Sequence, residues 1–178
     1  MICEFFVEGF EEMEAVAPLD LLRRAGIEVR SVGVGGRVVT GSHGIAVTCD
    51  ITADEVDMRD MEGVILPGGP GHAKLGESVA VLACIEYAAQ QGLLLAAICA
   101  APSILGKNGY LKGRRACCYP GYEKYLAGAA VVYDPVVCDG NVITSRGAGT
   151  ATEFALEIIA YLASPEKAEG IAAQIQCV

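Results

Sequence analysis

Leu93-Leu94-Leu95-Ala96-Ala97-Ile98-Cys99-Ala100-Ala101-Pro102 is the stretch on which the fold turns. Six apolar residues in a row, 93–98, suit a strand buried on both faces, as in the middle of a parallel sheet. A cysteine stands where that strand ends and a helix begins, and the small residues Ala97, Ala100 and Ala101 permit a tight turn there. Toward the amino terminus, residues 2–7 read as a first strand. Residues 11–24 sort into an apolar and a polar helical face, with Gly26 as a stop and Pro18 expected to kink the helix. Residues 27–34 form the next strand, and 37–40 with 45–48 read as a hairpin appended to the sheet. Residues 63–66 are a core strand ending in Pro67-Gly68-Gly69-Pro70-Gly71, and Ser78 caps a helix that Gly92 stops after about residue 91. Toward the carboxyl terminus, 114–118 and 131–143 read as strands, the latter with a turn at Asp139-Gly140, and helices cover roughly 149–163 and 165–176. This alternation predicts a three-layer α/β domain over residues 1–178, with a mostly parallel sheet and helices on both faces.

Composition narrows the class. The 178 residues are 53% hydrophobic, with a mean hydropathy of +0.42, which excludes disorder. The longest unbroken apolar run, 93–102, falls short of the ~18 residues that suggest a membrane span. Met1-Ile2-Cys3-Glu4 lacks a basic leader, so a cytoplasmic location is expected. Thirteen basic against twenty-two acidic residues give a net charge of −9, which disfavours nucleic acid and anionic membranes as partners. Eight cysteines without a C-x-x-C and only two histidines read as reduced core thiols. No metal site and no cofactor are expected.

In such sheets functional groups gather beyond the carboxyl ends of the strands, which directs attention to loops 8–14, 67–72 and 98–102. Cys99 occupies a nucleophile-elbow position, where unpaired N–H groups of the following helix favour a thiolate. The plainer alternative is an inert core cysteine. Gly68 and Gly69 bring backbone N–H groups close to a ligand and suit an oxyanion or an oxidised sulfur. Glu11 and Glu12 read as complements of the helix dipole. Glu14, one turn inside among apolar neighbours, is placed to point inward as a protonated acid beside sulfur.

Four segments taken together, 11–14 (Glu-Glu-Met-Glu), 66–69 (Leu-Pro-Gly-Gly), 97–102 (Ala-Ile-Cys-Ala-Ala-Pro) and 144–150 (Thr-Ser-Arg-Gly-Ala-Gly-Thr), resemble the DJ-one/ThiJ/PfpI superfamily along essentially the whole chain. The nearest likeness is to the subgroup of the parkinsonism-associated protein and the bacterial YajL/ThiJ-like proteins. The resemblance implies a flavodoxin-like sandwich, a homodimer, an active-site Cys99 with Glu14 as its acid, and backbone donors at Gly69 and Ala100. It sets Arg146 near the site mouth and the dimer face, and it aligns His43 roughly with a family arginine that reaches the partner's site. His72, just after the glycine-rich loop, and Glu11 are further pocket candidates. Tyr119 stands where glyoxalase-type members often carry histidine. Ala100 and Ala101 follow the cysteine, so the Cys-His pair of the family's protease and amidotransferase branches is missing.

The expectation is therefore a cysteine-dependent stress protein of glyoxalase or deglycase type, acting on small aldehydes or 2-oxoaldehydes such as methylglyoxal. A redox sensor or stress chaperone working through oxidation of Cys99 to sulfinate is the alternative. The thiamine-thiazole role suggested by the ThiJ name lacks a phosphate-binding loop to support it.

Overall fold

The computed structural model describes residues 1–177. In chain order its strands and helices are β1 (Ile2–Phe6), α1 (Glu12–Arg24), β2 (Val29–Gly33), β3 (Val38–Thr40), β4 (Ala46–Thr48), β5 (Ile51–Thr52) and β6 (Gly63–Leu66). There follow α2 (His72–Glu77), α3 (Val79–Gln91), β7 (Leu94–Ile98), α4 (Pro102–Lys107), β8 (Arg115–Ala116) and β9 (Ala130–Val131). The chain closes with β10 (Val136–Asp139), β11 (Val142–Ser145), α5 (Ala151–Leu162) and α6 (Pro165–Gln174).

Seven strands make the main sheet in the order β10-β11-β7-β6-β1-β2-β5. Every pairing is parallel except β10 with β11. The apolar run 93–98 lands near the centre as β7, between β11 and β6, with all five of its residues buried. Side-chain alternation along the strands builds two cores. Leu66, Leu95 and Ala97 face a cluster containing Leu75, Ile85 and Leu105 of α2, α3 and α4. Ile65, Ala96 and Ile98 face Leu22, Phe154 and Ile158 of α1 and α5. The sheet thus sits between two helical layers.

Punctuation residues do what their chemistry allows. Gly92 ends α3 in the left-handed conformation (φ 68°), and the Ser78 side chain accepts the Val81 N–H at its start. α1 runs unbroken through the buried Pro18, so the expected kink does not interrupt it. The appended hairpin is present as β3 and β4, which pair only with each other as an extra two-stranded antiparallel sheet. Residues 114–118 likewise contribute only β8, paired in parallel with β9 outside the main sheet. The run 131–143 divides, because Pro135 cannot supply a ladder N–H and marks the start of β10. The short helix α2 and the strand β5 carry too few residues for a periodicity to show in sequence. No described helix is long and apolar enough to cross a membrane.

Candidate active site

Two neighbouring parallel strands and one helix deliver the site. β7 ends at Ile98, and Cys99 turns the chain into α4 with φ at 65°, a left-handed conformation that costs a non-glycine residue on the order of 1–3 kcal/mol. Its backbone is tied on both sides to hold that turn: the Cys99 N–H donates to Ser145 O (2.9 Å), and its carbonyl accepts the Tyr119 N–H (2.7 Å). The elbow expected from the sequence is thus present, and its half-buried side chain remains reachable.

β6 ends in the second element. Gly68 leaves out a side chain where one cannot fit: a Cβ there would lie 2.6 Å from both Cys99 Cβ and Glu14 Oε2. Gly69 adopts φ 90°, open to glycine at little cost. The third element is α1, which Glu11 caps by accepting the Glu14 N–H (2.8 Å). Glu14 itself is 1% exposed and accepts the Gly68 N–H through Oε2 at 2.9 Å. Its carboxyl also faces the Cys99 thiol and the Ala148 backbone.

Two expectations change here. Gly68 was expected to offer its N–H to an oxyanion, but the Glu14 carboxyl takes it. The donors facing the sulfur are the N–H groups of Gly69 and Ala100. The surroundings of the thiol also work against the expected resting thiolate. Burial first, then the charge and hydrogen bond of Glu14, push the Cys99 thiol up to about 12, against those two N–H groups. Burial likewise dominates at Glu14, opposed by the hydrogen bond to Cys99 and reinforced by the charge of Glu11, and leaves the carboxyl at about 7. Near neutral pH the thiol keeps its proton and the carboxyl is balanced between its two forms.

The remaining candidates scatter around this centre. Tyr119 lines the Cys99 cleft, a hollow of about 310 Å³ shared with Gly69, Pro70, Ala100 and Tyr122. Tyr122 escaped the sequence reading because nothing local marks it. His72 holds the Gly69 carbonyl through Nδ1 (2.9 Å), stacks edge-on to Tyr122, and opens onto a neighbouring hollow rather than the Cys99 cleft. It braces the glycine loop from behind. His43, on the hairpin tip, pairs with Glu12 (Nδ1 to Oε2, 2.8 Å) and donates its N–H to Oε1 (2.7 Å). Glu12 is therefore no mere dipole complement. Burial would raise its carboxyl, but the hydrogen bonds from His43 outweigh it and hold the group at about 2. Arg146 lines a second hollow, again with Tyr119.

Donor atoms of Glu11, Glu12 and His43 lie within 4.8 Å of one another. Protein hydrogen bonds already occupy them: Glu11 is committed to the Glu14 N–H, and Glu12 to His43 and Ser42. All eight cysteines are free.

Comparison with known proteins follows the same outline. A profile described as the DJ-1/PfpI family matches residues 2–161. Protein dj-1beta of Drosophila melanogaster is 42% identical over 168 residues, covering 92% of this chain and 90% of its own. A glutathione-independent glyoxalase, DJR-1.2 of Caenorhabditis elegans, is 34% identical over 165 residues, covering 92% and 89%. The solved structure of oxidized Toxoplasma gondii DJ-1 superposes with a TM-score of 0.94 at 34% identity, covering 98% of this chain and 97% of that one.

Proposed function

The chain belongs to the DJ-1/PfpI family, and from that premise we propose that it is a cysteine-dependent enzyme of small reactive carbonyls, of glyoxalase or deglycase type. The observation carrying this reading is that Cys99, Gly69 and Ala100 line one reachable cleft while the buried Glu14 carboxyl stands against the thiol from behind. A worm relative bearing the glyoxalase name supports it.

A 2-oxoaldehyde such as methylglyoxal enters with its aldehyde carbon at Cys99 Sγ. Because the thiol rests protonated, Glu14 carboxylate takes its proton as the S–C bond forms, the partnership of nucleophile and base that a carboxyl near 7 serves well at neutral pH. The new oxyanion lies against the Gly69 and Ala100 N–H groups and is protonated to the hemithioacetal. Glu14, again a carboxylate, removes the C1 hydrogen to give the enediol and returns a proton to C2. C1 is thereby oxidised to a thioester while C2 is reduced to an alcohol. Water hydrolyses the thioester, releasing the 2-hydroxy acid and the free thiol. Every step uses side chains, backbone donors and water. Replacing Cys99 by serine is expected to abolish lactate formation from methylglyoxal; formation at the undiminished rate in Cys99→Ser would end this reading.

Cytoplasmic residence, a single domain over the whole chain and a homodimer complete the proposal. Met13 and Val16, one turn apart on α1, are 58% and 43% exposed, an apolar pair suited to the dimer face.

One observation favours a second role. The N–H groups aimed at sulfur, with a protonated Glu14 beside them, are the partners a cysteine sulfinate needs. Two equivalents of peroxide would yield that sulfinate and water, and a redox sensor or stress chaperone would read it out. A mass gain of about 32 Da that disappears in Cys99→Ala is the expected signature, and its absence after mild peroxide would exclude this role.

A further inference from the structure

The Cys99 cleft does not end at the sulfur. Tyr119 lines it and also lines an adjoining hollow of about 430 Å³ walled by Arg146, Gly147, Ala148 and Thr150. Tyr119 is the wall common to both spaces, and Gly147 packs beside it: a Cβ there would stand 3.4 Å from the Tyr119 ring and 3.9 Å from Glu14 Oε1. The buried Glu14 carboxyl thus lies close behind the part of the second hollow's wall that Gly147 forms. A three-carbon oxoaldehyde has five heavy atoms, whereas hollows of several hundred Å³ hold much larger ligands.

Arg146 is placed unlike the other arginines. Six of the eight form ion pairs: Arg23, Arg24, Arg30, Arg37, Arg59 and Arg115. Arg114 is held by the Asp139 carbonyl (2.7 Å) and Asn141 Oδ1 (2.9 Å). Among the described residues Arg146 makes only a 3.4 Å contact from Nη1 to the Tyr133 carbonyl and meets no carboxylate. In a chain of net charge −9, an arginine with no acidic partner in its own chain, at a hollow bordering the Cys99 cleft, can bind a carboxylate or phosphate through its planar fork.

We infer that Arg146 is a specificity residue and that the substrates are anionic 2-oxoaldehydes, with the aldehyde at Cys99 and a remote carboxylate or phosphate against Arg146. The inference rests on the carbonyl-enzyme reading above and narrows its substrate class. Carboxylate and phosphate are one chemistry to a guanidinium, so both are tested, with 4,5-dioxopentanoate and hydroxypyruvaldehyde phosphate set against neutral methylglyoxal.

The decisive measurement is the ratio of kcat/KM for each anionic substrate to that for methylglyoxal. In Arg146→Gln this ratio is expected to fall roughly tenfold to a hundredfold, mostly through KM, the worth of one or two charge-assisted hydrogen bonds. Arg146→Lys, which keeps the charge, should restore much of it. A fall for one anion alone identifies the tail that the site takes. An unchanged ratio for both anions, or equal loss in the lysine and glutamine variants, overturns the inference. Protection of Cys99 from iodoacetamide by the same three compounds gives a readout independent of turnover. If the wild-type protein turns over none of them, the carbonyl-enzyme reading fails. Arg146-dependent protection by an anion would then still establish the anion subsite, and equal protection in wild type and Arg146→Gln would refute it.

Discussion

At the scale of single residues the chemistry is an arrangement of protons. Glu14 as base must be ionised to take the thiol proton, and its carboxyl titrates at about 7. The rate, read as kcat/KM for methylglyoxal from about pH 5 to about pH 9, is expected to climb through neutrality and then level. In Glu14→Gln that limb should vanish, with activity down on the order of 10²–10⁴-fold. A wild-type profile with no rise across neutrality would remove Glu14 from the role of base. The same shift weakens the fold. A carboxyl raised from 4.5 to about 7 binds more proton folded than unfolded between those values, so stability declines as pH rises through that window, by about 3 kcal/mol in all. Placing the base under α1 thus sacrifices stability for function.

Among the elements, β1 carries a second buried acid with no such return. Glu4 is 0% exposed on the strand face beneath α1, and neither carboxyl oxygen has a hydrogen-bond partner. Burial, only partly relieved by the charge of Arg23, raises it well above the usual carboxylate range. It therefore sits there as an unsatisfied neutral acid. Glu4→Leu is expected to stabilise the protein by about 1–3 kcal/mol, with a gain of several degrees in Tm for a chain of this length. The gain should grow with pH, because raising pH increases the advantage of the unfolded state, where this carboxyl ionises freely. Thermal unfolding at acid and alkaline pH measures this, and a lowered Tm at both would show that the carboxyl has a partner.

For the molecule as a whole, α1 carries Glu14 and the exposed pair Met13 and Val16 on one short helix. If that face joins two copies, sedimentation should report twice the 18.5 kDa chain mass, and Met13→Glu with Val16→Glu should reduce it to one chain by burying like charges against each other. An unaltered dimer in the double variant would move the interface elsewhere. His43 stands on the exposed hairpin tip beside α1, so dissociation also tests whether it serves a partner's site.

The residues by themselves determined the alternation of the main strands and helices, the capping at Ser78 and Gly92, and the position of Cys99 at the end of a buried strand. Its apolar neighbours allowed Glu14 to face inward, and the family resemblance set it beside Cys99. Those features depend on periodicity and turn chemistry, which act over a few neighbouring residues. Only the tertiary structure decided that the Gly68 N–H belongs to Glu14, fifty-four positions away, that Glu12 holds His43, and that Glu4 is buried without a partner. The detachment of the hairpin from the main sheet was settled at the same level. So was the opposition at Cys99 between two backbone N–H groups, which favour the thiolate, and burial beside a carboxyl, which favours the thiol. Hydrogen-bond partners and desolvation are set by groups remote along the chain, and no local pattern encodes them.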